Sequence, residues 1–168
     1  LHDGSLTGGY RAFLPLESAP APRPGRYQQC TKIDGLTEDS FSDILAALDE
    51  SGARMLSLGV MIGFPDDTTE DIDNTVRNME KVESQLRSLN AFRRQRGIAE
   101  LQVHWDVMLY MLLPGTPDYA KYRSRLLFGD DYWSHPELAN FHICAYRPNN
   151  FTPWELTAIR HAIAEAFD

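Results

Sequence analysis

Short apolar runs alternate with helix-forming segments along most of this chain, and that alternation limits the folds it can adopt. The runs have the length of strands, and the segments between them space their apolar residues as helices do. Such a pattern predicts an α/β fold with a parallel sheet and helices on its outer face. The predicted strands are residues 10–16, 54–62 and 101–113; the predicted helices run from Thr37 to Gly52 and from about Glu70 to Arg96.

Residues 56–72 contain the most informative turn of this pattern. An apolar strand leads into Gly63-Phe64-Pro65, followed by two aspartates and by Thr68 or Thr69 as a helix N-cap. Ligands of α/β folds meet the chain at the carboxyl ends of strands, so this turn is a candidate ligand contact. A plain strand-to-helix turn explains it equally well. Asp66 and Asp67 could hold a cation, but loop solvation and N-terminal charge are the commoner roles.

Composition argues against several classes of function. The 168 residues carry a formal net charge of −8, which disfavours nucleic-acid binding through a broad basic face. The basic residues 93–96 close a predicted helix, where cations complement the dipole; contact with phosphate or RNA is the alternative. No apolar run reaches about 18 residues, which predicts no membrane span. Only Cys30 and Cys144 are present, too few for a disulfide scaffold, so the expected location is the cytoplasm.

Few polar residues stand out as candidates for chemistry, since no phosphate loop and no zinc-binding His-Glu-x-x-His motif occurs. Glu17 and Ser18 follow the first predicted strand, where the carboxylate either faces a ligand or forms a structural salt bridge. His104 and Asp106 alternate along the third strand and so share a face. They either contact a ligand or form a hydrogen-bonded polar layer, and the polar layer is the simpler interpretation.

The carboxyl-terminal part changes character after the loop at Pro114. Residues 119–135 could hold a short helix, and residues 140–150 a strand or a loop. Thr152-Pro153-Trp154-Glu155 then predicts a final helix with an N-cap, a first-turn proline and a capping-box glutamate. The apolar face expected to dock this helix consists of Trp154, Ile159, Ile163 and Phe167.

Four separated motifs, taken together, resemble the radical S-adenosylmethionine enzymes. They match, in order, the end of that family's fourth barrel strand, the start of the helix after it, the fifth strand with its turn, and the end of the sixth strand. The resemblance covers roughly residues 8–122. The motifs are Glu17-Ser18, then Lys32 with Leu36-Thr37-Glu38-Asp39, then residues 52–65 ending in Gly63-Phe64-Pro65, then residues 113–119 beginning Leu113-Pro114-Gly115-Thr116.

The resemblance implies a fold and a chemistry. Residues 1–122 would form the carboxyl-terminal half of the barrel domain, a partial TIM-like (β/α) barrel of about strands 4 to 6. Residues 123–168 would form a helical extension packed on it. In the family, S-adenosylmethionine lies across the carboxyl edge of the sheet, and a four-iron–four-sulfur (4Fe-4S) cluster cleaves it reductively. The resulting 5′-deoxyadenosyl radical abstracts hydrogen from the substrate.

The resemblance also implies roles for individual residues. Glu17 and Ser18 would hold the methionyl or ribose end of the cofactor. Gly63-Phe64-Pro65 would allow close backbone approach of the adenine, because Gly63 has no side chain. Two further residues, Leu113 and Pro114, would form the other wall of the adenine site. His104 and Asp106 would face the substrate, whose identity the sequence does not reveal.

The family's three-cysteine cluster loop is absent, and Cys30 and Cys144 cannot replace it, because three thiolates are needed. We therefore expect a piece of a longer enzyme, whose upstream half would supply the cluster ligands, with any cobalamin-binding domain further upstream. Alone, the piece should hold no cofactor, have no activity, and expose a sheet edge that pairs with the upstream half or supports a dimer. The alternatives are a non-enzymatic interaction module with a half-barrel fold and an iron-free barrel that handles phosphates or nucleotides.

Overall fold

The computed structural model describes residues 11–16, 38–135 and 140–168. This part of the chain has an α/β fold, in which three parallel strands form an open sheet in the order β1-β2-β3. The strands are β1 Arg11–Pro15, β2 Met55–Ile62 and β3 Gln102–Leu109. The four α-helices are α1 Glu38–Glu50, α2 Thr69–Gln95, α3 Pro117–Tyr122 and α4 Pro153–Phe167. Two short 3₁₀ segments, Arg123–Arg125 and Gly129–Ser134, follow α3.

The predicted alternation and the parallel sheet are confirmed. The third strand is shorter than predicted: only Tyr110 continues the pairing beyond it, donating its backbone N–H to the Ile62 carbonyl at 2.9 Å. Met111 and Leu112 stay buried without strand pairing, so their apolar character reflects burial and not strand geometry. The predicted N-cap Thr37 lies outside the described residues.

The two faces of the sheet differ in what covers them. On the helix side, Leu56, Leu58, Val60 and Ile62 of β2 are at most 1% exposed. The opposite side, here called the open face, carries the alternate residues of each strand. The register aligns Phe13, Ser57 and His104 across it, and next to them Gly59 and Asp106. Phe13 is 57% exposed and His104 is exposed, so the described helices leave this part of the face uncovered.

The helix side owes its core to the apolar stripes of α2 and α4. The buried side chains of α2 follow helical spacing at Ile72, Met79 and Leu86, as its sequence predicts. The carboxyl-terminal helix contributes Leu156 and Ile163, and Phe167 packs edge-on against Trp105 with ring centroids 5.4 Å apart. One prediction for this helix is wrong: Trp154 is 83% exposed and does not dock. Leu156, two positions later and so on the opposite side of the helix, is fully buried instead.

The basic end of α2 is partly structural. Arg93 is 1% exposed, and its guanidinium donates to the backbone carbonyls of Ala99 at 2.9 Å and Ala53 at 3.2 Å. Its Nη1 also lies 3.3 Å from a carboxylate oxygen of Asp49 on α1. Arg93 thus joins α1, α2 and the entry to β2, whereas Arg94 is exposed and pairs with Glu100. A helix-dipole role alone does not account for this burial.

The outer edge of β3 is covered by the carboxyl-terminal part of the chain. The Leu109 N–H donates to the carbonyl of Phe141 at 2.6 Å, and Arg160 on α4 donates to the carbonyl of Val107 at 2.7 Å. The Leu109 N–H and the Val107 carbonyl both point away from β2, because the backbone groups of successive residues alternate in direction along a parallel strand. Residues 140–150 therefore cover an edge without becoming a strand, apart from one antiparallel bridge between Leu126 and Tyr146.

Among the described helices, none combines the length and the apolar character that crossing a membrane requires.

Candidate functional site

The turn after β2 is held together by the carboxylate of Asp67. One oxygen, Oδ2, accepts the backbone N–H groups of Gly63 and Phe64, both at 2.9 Å. Asp67 is only 3% exposed, so these bonds to an acidic side chain lie out of water. The interpretation of Asp67 as a solvated loop residue is wrong for this reason. Its carboxylate fixes the shape of the Gly63-Phe64-Pro65 turn.

Gly63 is required at this turn by its own backbone and by its neighbours. Its φ is 80°, a left-handed value that favours glycine. A Cβ atom there would lie 3.0 Å from Leu156 Cδ1 and 3.3 Å from Leu109 Cδ2. The side of Gly63 that lacks a side chain therefore faces the core under α4. A ligand would meet this turn from the side of Phe64.

The same turn accepts hydrogen bonds from residues 146–150 of the carboxyl-terminal part. The hydroxyl of Tyr146 donates to the Gly63 carbonyl, and Tyr146 is 1% exposed. The backbone N–H of Asn149 donates to the Pro65 carbonyl at 2.9 Å, and the Asn150 side chain donates to the Asp67 carbonyl at 2.9 Å. The polar backbone groups of the turn are thereby satisfied within the protein. Burial raises the pKa of Tyr146 well above its ordinary value, so the phenol stays protonated and able to donate into the alkaline range.

An aromatic pair stands at the carboxyl ends of β2 and β3. The rings of Phe64 and Tyr110 lie with centroids 4.4 Å apart and an interplanar angle of 31°, and both are partly exposed. The Tyr110 hydroxyl donates to Asp118 at 2.7 Å. Burial, and then this hydrogen bond, raise the pKa of Tyr110 above its ordinary value. The pair is a partly exposed apolar surface of the kind on which a planar ring stacks.

Asp66 connects the turn to α3. Its Oδ2 accepts the Tyr122 hydroxyl at 2.7 Å and lies 3.9 Å from Lys121 Nζ, while Oδ1 accepts the side-chain amide of Asn149. Burial raises the pKa of Tyr122; the Lys121 ammonium acts in the opposite direction and the Asp66 carboxylate in the same one. Asp66 is exposed, and its structural partners account for both of its oxygens.

The turn after β3 lies at the same edge of the sheet. Leu113 is 43% exposed and Pro114 is exposed, so both are available for contact. The carbonyl of Leu113 accepts the Thr116 N–H at 3.2 Å and the Thr116 hydroxyl at 2.7 Å. The same hydroxyl accepts the N–H of Tyr119 at 3.1 Å, which caps α3. Hydrogen bonds between the loop's own residues and the start of α3 therefore stabilise it.

The other predicted site residues fall into two groups. His104 and Asp106 do share the open face, where the register sets them beside Ser57 and Gly59 of β2. His104 is exposed and Asp106 partly exposed, and no described partner bonds either side chain. Glu17 and Ser18 follow Leu16, whose N–H donates to the Gly59 carbonyl at 2.8 Å, but they lie outside the described residues.

Several residues of this edge escaped the sequence analysis. The tyrosines at 110, 122 and 146 and the asparagines at 149 and 150 contact the two turns only through long-range folding. Tyr110 alone carried a signal in the sequence, because it lies in the carboxyl-terminal part of the predicted strand 101–113, at the edge where ligands of such sheets bind. Within the part of the chain that is described, no group of three or more His, Cys, Asp or Glu side chains is arranged to hold a metal ion.

Comparison with models of known protein families, with curated proteins and with solved structures found no match for this chain.

Proposed function

We propose that this chain is the carboxyl-terminal part of a radical S-adenosylmethionine enzyme barrel and supplies walls for the cofactor and the substrate. The supporting observation is the position of two motif turns, Gly63-Phe64-Pro65 and Leu113-Pro114. They follow adjacent parallel strands and emerge at one carboxyl edge. Ligands of parallel α/β sheets bind at that edge.

The described residues suggest how such a cofactor would be held. The N–H groups of Gly63 and Phe64 are bonded to Asp67, so the adenine would be held by apolar contact with the Phe64 ring. Leu113 and Pro114 would form the second wall, and Glu17 and Ser18 the polar end of the site. When bound, S-adenosylmethionine would supply the radical after reductive cleavage. The residues of this chain would bind it, orient it and exclude water.

The open face would form part of the barrel interior. Ser57 and Gly59 of β2 are covered there by side chains of the sheet itself: Arg11 donates to the Ser57 hydroxyl at 2.7 Å, and a Cβ atom on Gly59 would lie 2.8 Å from the Phe13 ring. The polar side chains that a substrate could reach on this face are His104, which is exposed, and Asp106, which is partly exposed. His104 and Asp106 would then orient the substrate near the carbon that loses hydrogen.

The sheet edges suggest which strand meets the upstream half. The outer edge of β3 is bonded to Phe141 and Arg160, whereas no described residue pairs with the outer edge of β1. Pro15 lacks an N–H, and the pairing of Leu16 with β2 places Pro15 in the outward-facing register. An added strand would therefore pair with β1 near Arg11 and Phe13, and a dimer would compete for that edge.

The experiment that tests the proposal begins with the full reading frame. It should encode a Cys-x-x-x-Cys-x-x-Cys loop roughly a hundred residues before Leu1, the distance spanned by a barrel's first strands. The full-length protein, loaded with iron and sulfide without oxygen, should show cluster absorbance and form 5′-deoxyadenosine with a reductant. A reading frame that starts near Leu1, or absence of a cluster, would contradict the proposal.

The interaction-module alternative has one observation in its favour. Phe13 is 57% exposed on the open face of the edge strand β1, a position where an apolar ring could contact a partner. The same reading-frame test distinguishes the two functions, because a module needs no cluster-binding cysteines.

A further inference from the structure

Positive charge is concentrated beside the carboxyl edge, although the whole chain has a net charge of −8. Lys121, Arg123 and Arg125 lie within one short stretch at the end of α3 and in the 3₁₀ segment after it. Arg147 approaches them from the carboxyl-terminal part, since its N–H donates to the Arg125 carbonyl at 2.9 Å. We call these four residues the basic edge cluster.

Two arginines of the basic edge cluster stand opposite each other. The antiparallel bridge pairs Leu126 with Tyr146, both buried, so the flanking pair, Arg125 and Arg147, lies on the other, outward side. Like charges in directly opposite positions destabilise a pair of strands. An anion bound between the two arginines would offset this repulsion.

Two cations of the cluster are held on one aromatic ring. Lys121 Nζ is 4.4 Å and Arg125 Cζ 5.0 Å from the centroid of the Tyr122 ring. Arg125 also donates to Asn149, which in turn donates to Asp66. The cations are thus positioned before any ligand arrives, which lowers the ordering cost of binding an anion.

The remaining two cations are available to a ligand. Arg123 and Arg147 are exposed, and neither has a carboxylate partner among the described residues. Two carboxylates act on the cluster at Lys121: Asp66, 3.9 Å from Lys121 Nζ, and Asp118, in the first turn of α3. Two carboxylates against four cations leave the cluster with a local excess of positive charge.

We propose that the basic edge cluster binds a phosphate or diphosphate group of a small-molecule substrate. A guanidinium group binds two phosphate oxygens at once, and the backbone pairing brings Arg125 and Arg147 to opposite positions. A long polyanion fits less well, because the rest of an acidic surface would repel it. The assignment to a substrate rests on the proposed function, since the cluster adjoins the edge where that substrate would react. The anion site itself stands on the contacts above.

The test measures binding of inorganic phosphate and pyrophosphate to the 168-residue chain at low ionic strength by calorimetry and by amide chemical shifts. We expect pyrophosphate to bind more tightly than phosphate and to shift the amides near residues 121–125 and 147. The double variant Arg123→Gln/Arg147→Gln should weaken pyrophosphate binding at least about tenfold. The single variant Lys121→Gln gives a second measurement should the double variant fold poorly.

The matched control is Arg94→Gln/Arg96→Gln, which removes two exposed cations from the opposite end of the sheet and changes the net charge equally. It should leave pyrophosphate affinity within about twofold. Equal weakening by both double variants, or no saturable binding by the unmodified chain, would overturn the proposal. Far tighter binding of single-stranded RNA than of pyrophosphate through the same residues would overturn the small-molecule assignment. If the full reading frame lacks cluster cysteines while pyrophosphate still binds, the substrate assignment fails and the anion site remains.

Discussion

At the scale of single residues, the same amino acid takes different roles according to its tertiary neighbours. Asp66 and Asp67 are adjacent and chemically identical, yet Asp66 is exposed and Asp67 is 3% exposed. Asp67 bonds the turn that precedes it, whereas Asp66 bonds side chains from α3 and the carboxyl-terminal segment. Which aspartate faces inward depends on the path of the chain through the turn.

Because Asp67 is buried, its substitution should lower the stability of this turn most. Asp67→Ala leaves the Gly63 and Phe64 N–H groups without their acceptor, so we expect unfolding free energy to fall by about 2–3 kcal/mol. Urea unfolding followed by circular dichroism measures it. The control Asp73→Ala, on the exposed side of α2, should change stability by less than about 0.5 kcal/mol. Equal effects of the two variants would contradict this role for Asp67.

At the scale of elements, the start of a helix depends on a few neighbouring residues, whereas the face that docks depends on what packs against it. The sequence predicts N-caps at Thr68 or Thr69 and at Thr152; Thr68 and Thr152 are the N-caps in the structure, and both helices have the capping box. Its bonds join each threonine to an acidic residue three positions later, so a short window of sequence contains all the information. The docking face of α4 depended on the sheet beneath it. The helical spacing predicts Trp154 on this face, but the packing places Leu156 there.

The capping box of α4 offers a stability test. Thr152 accepts the Glu155 N–H at 3.2 Å, and Glu155 accepts the Thr152 N–H at 2.7 Å. Thr152→Ala should lower the unfolding free energy by about 1 kcal/mol, because an N–H of the first turn loses its acceptor. The control Thr69→Ala removes the same atoms from an exposed position in the first turn of α2 and should be nearly neutral. Thermal unfolding of both variants measures the difference. Equal midpoints for the two variants would contradict the prediction.

At the scale of the whole molecule, the carboxyl-terminal part and the sheet depend on each other. Tyr146 reaches Gly63 across a separation of 83 residues, and α4 fills the space beside that glycine. The end of the sheet that carries the candidate site is therefore built from two distant parts of the chain. Loss of either part should loosen the turns at that edge.

This dependence predicts a loss of stability at alkaline pH. Burial raises the folded-state pKa of Tyr146, and Tyr110 and Tyr122 shift in the same direction. The neutral phenols are favoured in the folded state, so the stability they contribute is complete below the unfolded pKa of 10.0. It is lost as the pH rises from there through the folded values, because the unfolded chain then releases protons more readily.

For Tyr146 alone the loss should approach about 1.4 kcal/mol for each pH unit above that point. Urea unfolding at a series of pH values from about 8 to about 11 measures it. Tyrosinate absorbance of the folded protein should rise at a higher pH than that of the unfolded protein. The variant Tyr146→Phe should have a shallower dependence on pH, and an unchanged slope would contradict the role of this phenol.

The sequence by itself determined the order of strands and helices, their parallel arrangement, the caps of α2 and α4, and the two turns at the carboxyl edge. These features depend on periodicity and on short motifs, which act over a few residues. Only the tertiary structure decided that Asp67 and Arg93 are buried, that Leu156 replaces Trp154 in the core, and that Arg125 and Arg147 meet. These outcomes depend on contacts between residues far apart in the chain, whose burial and hydrogen bonding no local pattern encodes.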